Sequence, residues 1–376
     1  MTTWIVVAVG VLVIGGSGAA VALALRPGTS NAKPAAHVSA AVTTTAPPAT
    51  AATTTAPPSA SATPAATASP TLAASPGSTA SAGGGLVGPG NWTYPALIDQ
   101  AAYTGDSATI NAIACASATT CYAADSDGNV LESVTRTSWK VVATDSGANL
   151  SAISCASATF CVAVDQSGNA LTLEGSSWDD PVKIDASSQL NSVSCPTTTF
   201  CLAVDGAGSV FTYTGSVTHW STAALDPNQG SLTGVSCPTA SYCVAVGGAG
   251  NAFTYQDGSW DQGTAVGEGN SLNSVSCSSP SFCVALDSNG NPAVLAGGTW
   301  SSQTYSGTAQ AVACPADGYC VMVDNAGGVS YYRGGAWSGV TKIDGNNSFN
   351  ALTCSSASSC VAADQYDNVL FDTAAG

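Results

Sequence analysis

The chain has 376 residues, of which only 8% are charged, and its 7 Lys and Arg against 23 Asp and Glu give a formal charge of −16. So acidic a chain cannot neutralise nucleic-acid phosphates or lay a polybasic patch on anionic lipid. Its 2 histidines leave little material for a His-based metal site or for acid–base catalysis.

Residues 4–25 carry no charge and are rich in Val, Leu, Ile, Ala and Gly, enough to span a bilayer of roughly 30 Å as a helix. Residues 1–26 therefore read as a transmembrane anchor or, alternatively, a signal peptide with an Ala22-Leu23-Ala24 cleavage pattern. Residues 27–86 are a tract of Ala, Thr, Ser and Pro. Such a composition buries too little apolar surface to offset the entropy of ordering, so it reads as a disordered stalk.

The remaining segment, 87–376, holds every acid but only five basic residues, Arg136, Lys140, Lys183, Arg333 and Lys342. A Cys-x5-Cys motif recurs in it seven times: Cys115 with Cys121, Cys155 with Cys161, Cys195 with Cys201, Cys237 with Cys243, Cys277 with Cys283, Cys314 with Cys320 and Cys354 with Cys360. First cysteines lie 37 to 42 residues apart and no cysteine is left over. Leu272-Asn273-Ser274-Val275-Ser276-Cys277, a short loop, and Cys283-Val284-Ala285-Leu286-Asp287 read as two strands of a hairpin. A third strand such as Asn251-Ala252-Phe253-Thr254-Tyr255 and a fourth opened by Gly258-Ser259-Trp260 complete a unit. Four strands at a period near 40 predict an all-β propeller of seven blades.

The tryptophans predict how it closes. Trp139, Trp178, Trp220, Trp260, Trp300 and Trp337 each follow a second cysteine by 17 to 19 residues, whereas the seventh repeat has no Trp and Trp92 stands alone before the first. The segment around Trp92 should supply the outer strand of the last blade, leaving no open sheet edge. Facing hairpin cysteines lie within disulfide range, so each pair is expected to be bonded. That implies an oxidising compartment and an extracytoplasmic propeller. A hairpin offers only two ligands where zinc wants four, which disfavours metal.

Over residues 92–372 the chain resembles secreted or surface-anchored seven-bladed propellers of actinobacteria, related in pattern to Asp-box (BNR-like) repeats. It carries shortened forms of the box, such as Asp257-Gly258-Ser259-Trp260 and, without the Asp, Gly298-Thr299-Trp300. The resemblance implies the propeller fold; sialidase relatives would imply an arginine cluster, and this segment has only Arg136 and Arg333, both placed after third strands. His219, its sole histidine, sits in an outer turn.

Two sets of acids fall on loops that a propeller brings to one face. Asp125, Asp165, Asp205, Asp287, Asp324 and Asp364 follow the second strand; Gly247 replaces the acid in the fourth repeat. Asp106, Asp145, Asp185, Asp226, Glu268 and Asp344 precede the first strand of the next blade, and the loop near Ser306 has none. Asp first and Gly fourth fit a type I turn. The same count predicts two rings of charge around one mouth, suited to a cation or a basic partner. Asp125-Ser126-Asp127-Gly128-Asn129 looks like half a calcium loop, but Val134 stands where a Glu ligand is needed. Calcium through converging turns stays open; no other cofactor is expected. The reading is a membrane-anchored binding or scaffolding module of the cell envelope, its partner an envelope protein or glycan. A carboxylate-based glycosidase and a purely structural or adhesive spacer are the alternatives.

Overall fold

The computed structural model describes residues 92–93, 96–98, 108–135, 138–216, 219–226 and 230–372. The expected anchor (1–26) and stalk (27–86) lie outside the described residues, and no helix among the described residues is long and apolar enough to cross a membrane. The rest forms seven antiparallel sheets of four or five strands, one per Cys-x5-Cys repeat. Blade 2 shows the plan: Leu150–Ser157, Phe160–Asp165 and Asn169–Glu174 pair in order, and the outer strand comes in two pieces, Ser177–Trp178 and Val182–Lys183. Blade 4 (Ser259–Trp260, Thr264–Ala265) and blade 6 (Ala336–Trp337, Thr341–Lys342) split their outer strand likewise, a feature the sequence reading did not foresee.

All seven expected disulfides are present, with Cα atoms 3.9 to 4.1 Å apart. Their two ends differ in environment. The second cysteines, Cys121, Cys161, Cys201, Cys243, Cys283, Cys320 and Cys360, sit near the start of each second strand and are all buried. Of the first cysteines, Cys195, Cys237 and Cys314 are buried, while Cys115, Cys155, Cys277 and Cys354 are half-buried. All fourteen therefore belong to the packing of the blades. Closure is also as expected. Ala96–Leu97 pairs with Asn368–Phe371, Ala96 opposite Val369 and Leu97 opposite Asn368, while Trp92 bridges to Asp372. The Thr93 N–H donates to the Phe371 carbonyl at 2.8 Å.

The core lies between the blades, as seven apolar clusters, one per seam. Second strands alternate Ala with a larger branched residue, so each blade has a small and a bulky side. The bulky side of one blade packs on the small side of the next: Val162 and Val164 on Ala203, Leu202 and Val204 on Ala245, Val244 and Val246 on Ala285. Met322 takes the alanine position in blade 6, fully buried against Val284 and Leu286. Every seam carries one tryptophan of the later blade: Trp139, Trp178, Trp220, Trp260, Trp300 and Trp337 in order. Trp92 fills the seventh place, between blades 6 and 7, and is 1% exposed. Its Nε1 donates to the Tyr331 hydroxyl at 2.8 Å.

A second tie between blades comes from a β-bulge near the start of every first strand, at residues 111, 151, 191, 233, 273, 310 and 350. A bulge re-aims one side chain, and here that side chain is always Asn, Ser, Thr or Gln. Five of the seven reach a backbone carbonyl of the next blade. Asn111 Nδ2 donates to Leu150 O at 2.9 Å, Ser151 Oγ to Leu190 O at 2.6 Å and Asn191 Nδ2 to Leu232 O at 2.6 Å. Thr233 Oγ1 donates to Leu272 O, and Asn350 Nδ2 to Ile110 O at 3.3 Å, closing the circle from blade 7 to blade 1. Lower down, Ser154, Ser194, Ser236 and Ser276 each accept the N–H of the next blade's first cysteine at 2.9 to 3.0 Å. Together these bonds encircle an axial channel of ≈ 250 Å³ lined by the first strands of all seven blades.

Candidate functional site

The acids take up their positions through the turn that the sequence predicts. In blade 2, Asp165 Oδ1 accepts the Asn169 N–H at 2.6 Å and Oδ2 accepts Asn169 Nδ2 at 2.7 Å. Asp125 with Asn129, Asp287 with Asn291 and Asp364 with Asn368 repeat the pattern. Asp205 and Asp324 keep the backbone bonds, to the N–H groups of Ser209 and Gly328, but have no asparagine four residues on. The glycine of the turn is required by a close approach. Gly128 sits at φ 87°, and a Cβ there would collide with the Asp145 carbonyl oxygen, because the loop entering the next blade crosses directly over it. Blade 7 has Asp367 in that place at φ 64°, and its Oδ1 accepts the Ile110 N–H of blade 1 at 2.7 Å.

This geometry corrects the expected open rings of charge. Asp125, Asp165, Asp205, Asp287, Asp324 and Asp364 are all buried, and so are Asp185, Asp226 and Asp344 of the second set. Asp145 is half-buried, Glu268 is exposed, and Asp106 lies outside the described residues. The two sets meet pairwise at the seams, Asp145 with Asp165, Asp185 with Asp205 and Asp344 with Asp364. The sequence assigned each acid to its own loop; the fold stacks consecutive loops, so the carboxyls face each other rather than solvent.

Two carboxylates in contact inside a protein cannot both ionise at no cost, so such a pair retains a proton. Burial, reinforced by contact with the Asp364 carboxyl, pushes Asp344 up to about 7. Burial raises Asp205 as well, with Asp185 adding to it against the pull of the Ser209 and Ala207 N–H bonds. Asp145 is raised by burial and then by Asp165. The Oδ2 atoms of Asp185, Asp205 and Asp344 have no hydrogen-bond partner. Among the described residues no group of three or more His, Cys, Asp or Glu converges as a metal site.

The outward-facing features lie elsewhere, mainly on the seam between blades 4 and 5. On its acidic-loop side a pocket of ≈ 190 Å³ is lined by Glu268, Asn270, Asp287, Asn291 and Gln303 among others. Around the rim a cleft of ≈ 730 Å³ runs between Tyr242, Gln256, Asp257, Trp260 and Asp261 of blade 4 and Pro280, Leu295 and Trp300 of blade 5. Asp257 and Gly258, at φ 49° and 94°, form the two-residue hairpin turn, which leaves the Asp257 carboxyl in solvent. Asp261 interrupts the outer strand and replaces a strand partner with its side chain: Oδ1 accepts the N–H groups of Thr254 at 3.0 Å and Gly263 at 2.9 Å. Trp260 and Trp300 are half-buried, and Trp260 has one side against Tyr255 at 5.3 Å between centroids. Sequence reasoning located Asp257, Trp260 and Trp300 only as strand markers; the signal for the cleft was the Asp261-Gln262-Gly263 interruption.

Solved structures share the architecture. The chain is similar to "YCF48 bound to D1 peptide" (14% identity, TM-score 0.60, covering 75% of this chain and 96% of that one). It is similar also to the "WD40 beta propeller domain of Doa1" (11%, 0.61, 74% and 96%) and to "YCF48 from Cyanidioschyzon merolae" (12%, 0.59, 75% and 98%). No protein-family model matches the chain, and no curated protein matches it. At these identities the likeness establishes the propeller fold, which is a common vehicle for binding and scaffolding.

Proposed function

We propose that the chain is a non-enzymatic binding or scaffolding propeller of the cell envelope, held outside the cytoplasm on its N-terminal apolar segment and stalk, with a protein as its partner. The observation that carries this reading is how the polar groups are used. Most of the ring acids are buried in turns and five of the seven bulge side chains are bonded to the next blade, while an open cleft of ≈ 730 Å³ lies on the rim between blades 4 and 5. A carboxylate glycosidase would need two free carboxyls about 5–10 Å apart in a sugar-sized cleft, and most of the acids the sequence offers for that role are buried in turns. Seven disulfides favour export, and one similar propeller was solved with a peptide bound. The resemblance in sequence pattern to secreted, surface-anchored Asp-box propellers supports the same placement.

The test is reconstitution. The full chain is displayed on its native membrane, neighbours are captured by proximity crosslinking, and the leading protein is purified and mixed with the propeller. A defined complex of fixed stoichiometry is expected. Failure of every purified candidate to bind, together with turnover of a glycoside by the propeller, would overturn the proposal.

A further inference from the structure

The positive charge in this ring is distributed very unevenly. Between Lys183 and Arg333 there is no Lys or Arg at all, and the exposed acids of that arc, Asp257, Asp261, Glu268 and Asp317, have no Lys or Arg within it to answer them. Within that arc lies the rim cleft of ≈ 730 Å³, whose exposed carboxyls are Asp257 and Asp261. The one ion pair among the described residues, Lys140 with Glu132, lies in blade 1, away from it. The cleft is aromatic as well as acidic, lined by the half-buried indoles of Trp260 and Trp300, one from each blade, and by the buried Tyr242.

We propose that this cleft between blades 4 and 5 is the docking site for a Lys- or Arg-bearing peptide segment of a protein partner. The cationic side chain lies along the indole faces, where a ring quadrupole attracts it, and its head meets Asp257 and Asp261. The long apolar stem of Lys or Arg suits a cleft whose buried lining includes Leu295 and Tyr242. Charge complementarity selects the occupant. An acidic segment would face two carboxylates with no cation to answer it, and a wholly apolar one would desolvate both carboxylates without supplying a counter-charge. Asp261 is already fixed by the two backbone bonds that shape the strand interruption, so its second oxygen is oriented before any ligand arrives.

This inference rests on the reading of the chain as a protein-binding module, and the experiment separates the two. The full chain is titrated by calorimetry with an acetylated Gly-Lys repeat octapeptide and its Gly-Glu counterpart at low and physiological salt. Asp257→Lys and Asp261→Asn are compared with Asp179→Lys, which makes the same charge change as the first at an exposed acid of blade 2. Asn at 261 keeps an oxygen for the Thr254 and Gly263 N–H groups, so the loop is retained. The expected result is binding of the Gly-Lys peptide alone, weakened by physiological salt. Asp257→Lys should weaken it about tenfold or more, Asp261→Asn severalfold, and Asp179→Lys hardly at all. No binding of the Gly-Lys peptide at low salt, or equal loss in Asp179→Lys, would overturn the proposal. A reconstituted partner complex that survives Asp257→Lys would also overturn it while leaving the broader function standing.

Discussion

Raising the pH should loosen the seam between blades 6 and 7, and the size of the effect follows from one buried pair. Asp344 meets Asp364 there, with Asn347 Nδ2 donating to Asp344 Oδ1 at 3.3 Å and to Asp364 Oδ2 at 3.1 Å. Lys342, the nearest cation in sequence, spends its ammonium on the Ala326 carbonyl. Burial and the neighbouring carboxyl lift Asp344 to about 7 from an ordinary 3.8. A raised carboxyl means that the folded state holds the proton more tightly than the unfolded chain. Its contribution is therefore complete below pH 3.8 and is lost as pH rises through 7. Between about pH 5 and about pH 8 the loss comes to about 2–3 kcal/mol, at 1.36 kcal/mol per pKa unit. In a domain of this size that is a melting shift of roughly 5 °C. Asp344→Asn supplies a permanent donor in place of the titrating proton. The variant should lose this part of the pH dependence and melt above the wild type at about pH 8. Paired thermal melts of both proteins across this pH range, at constant salt, read the difference directly. If the gap between variant and wild type is the same at both ends of the range, the carboxyls do not share a proton and the seam is held in some other way.

Other consequences are simpler to read. Trp92→Ala removes the tryptophan of the closing seam and strands the Tyr331 hydroxyl; it should cost about 3–5 kcal/mol, measured by denaturant unfolding, and a loss under about 1 kcal/mol would argue against closure by this strand. Asn191→Ala leaves the Leu232 carbonyl only the longer bond from Ser231 Oγ, at 3.4 Å, and should cost about 1 kcal/mol in the same assay, whereas Asn191→Ser, the residue type that blade 2 uses at this bulge, should recover part of it. Ala203→Leu forces a larger side chain against Val162 and Val164 and should destabilise by about 1–3 kcal/mol, with faster hydrogen exchange in blades 2 and 3.

The parts legible in the sequence were those that one residue reports on its own. A cysteine pair marks a hairpin, a tryptophan marks an outer strand, and the stray Trp92 could belong only to the blade that lacked one. The acids were read correctly as turn formers and misplaced as a surface. Whether Asp344 is solvated depends on Asp364, twenty residues later, and on a loop crossing that no local pattern encodes. The channel girdle went unseen because Asn111, Ser151, Asn191 and Thr233 share only the ability to donate a hydrogen bond, and that equivalence emerges once the bulges align them. The rim cleft depends on a strand interruption at Asp261, a tertiary detail of one blade among seven.

Whether the propeller is an oxidised, exported domain is the central question, and one measurement addresses it most directly. Protein isolated from its own cells is quenched with an alkylating reagent under native conditions, and its intact mass is compared with that of the fully reduced chain. Seven closed disulfides predict no alkylation and a mass about 14 Da below the reduced form, two hydrogens per bond. Alkylated cysteines in the freshly isolated protein would contradict it, because thiols persist only where the compartment is reducing.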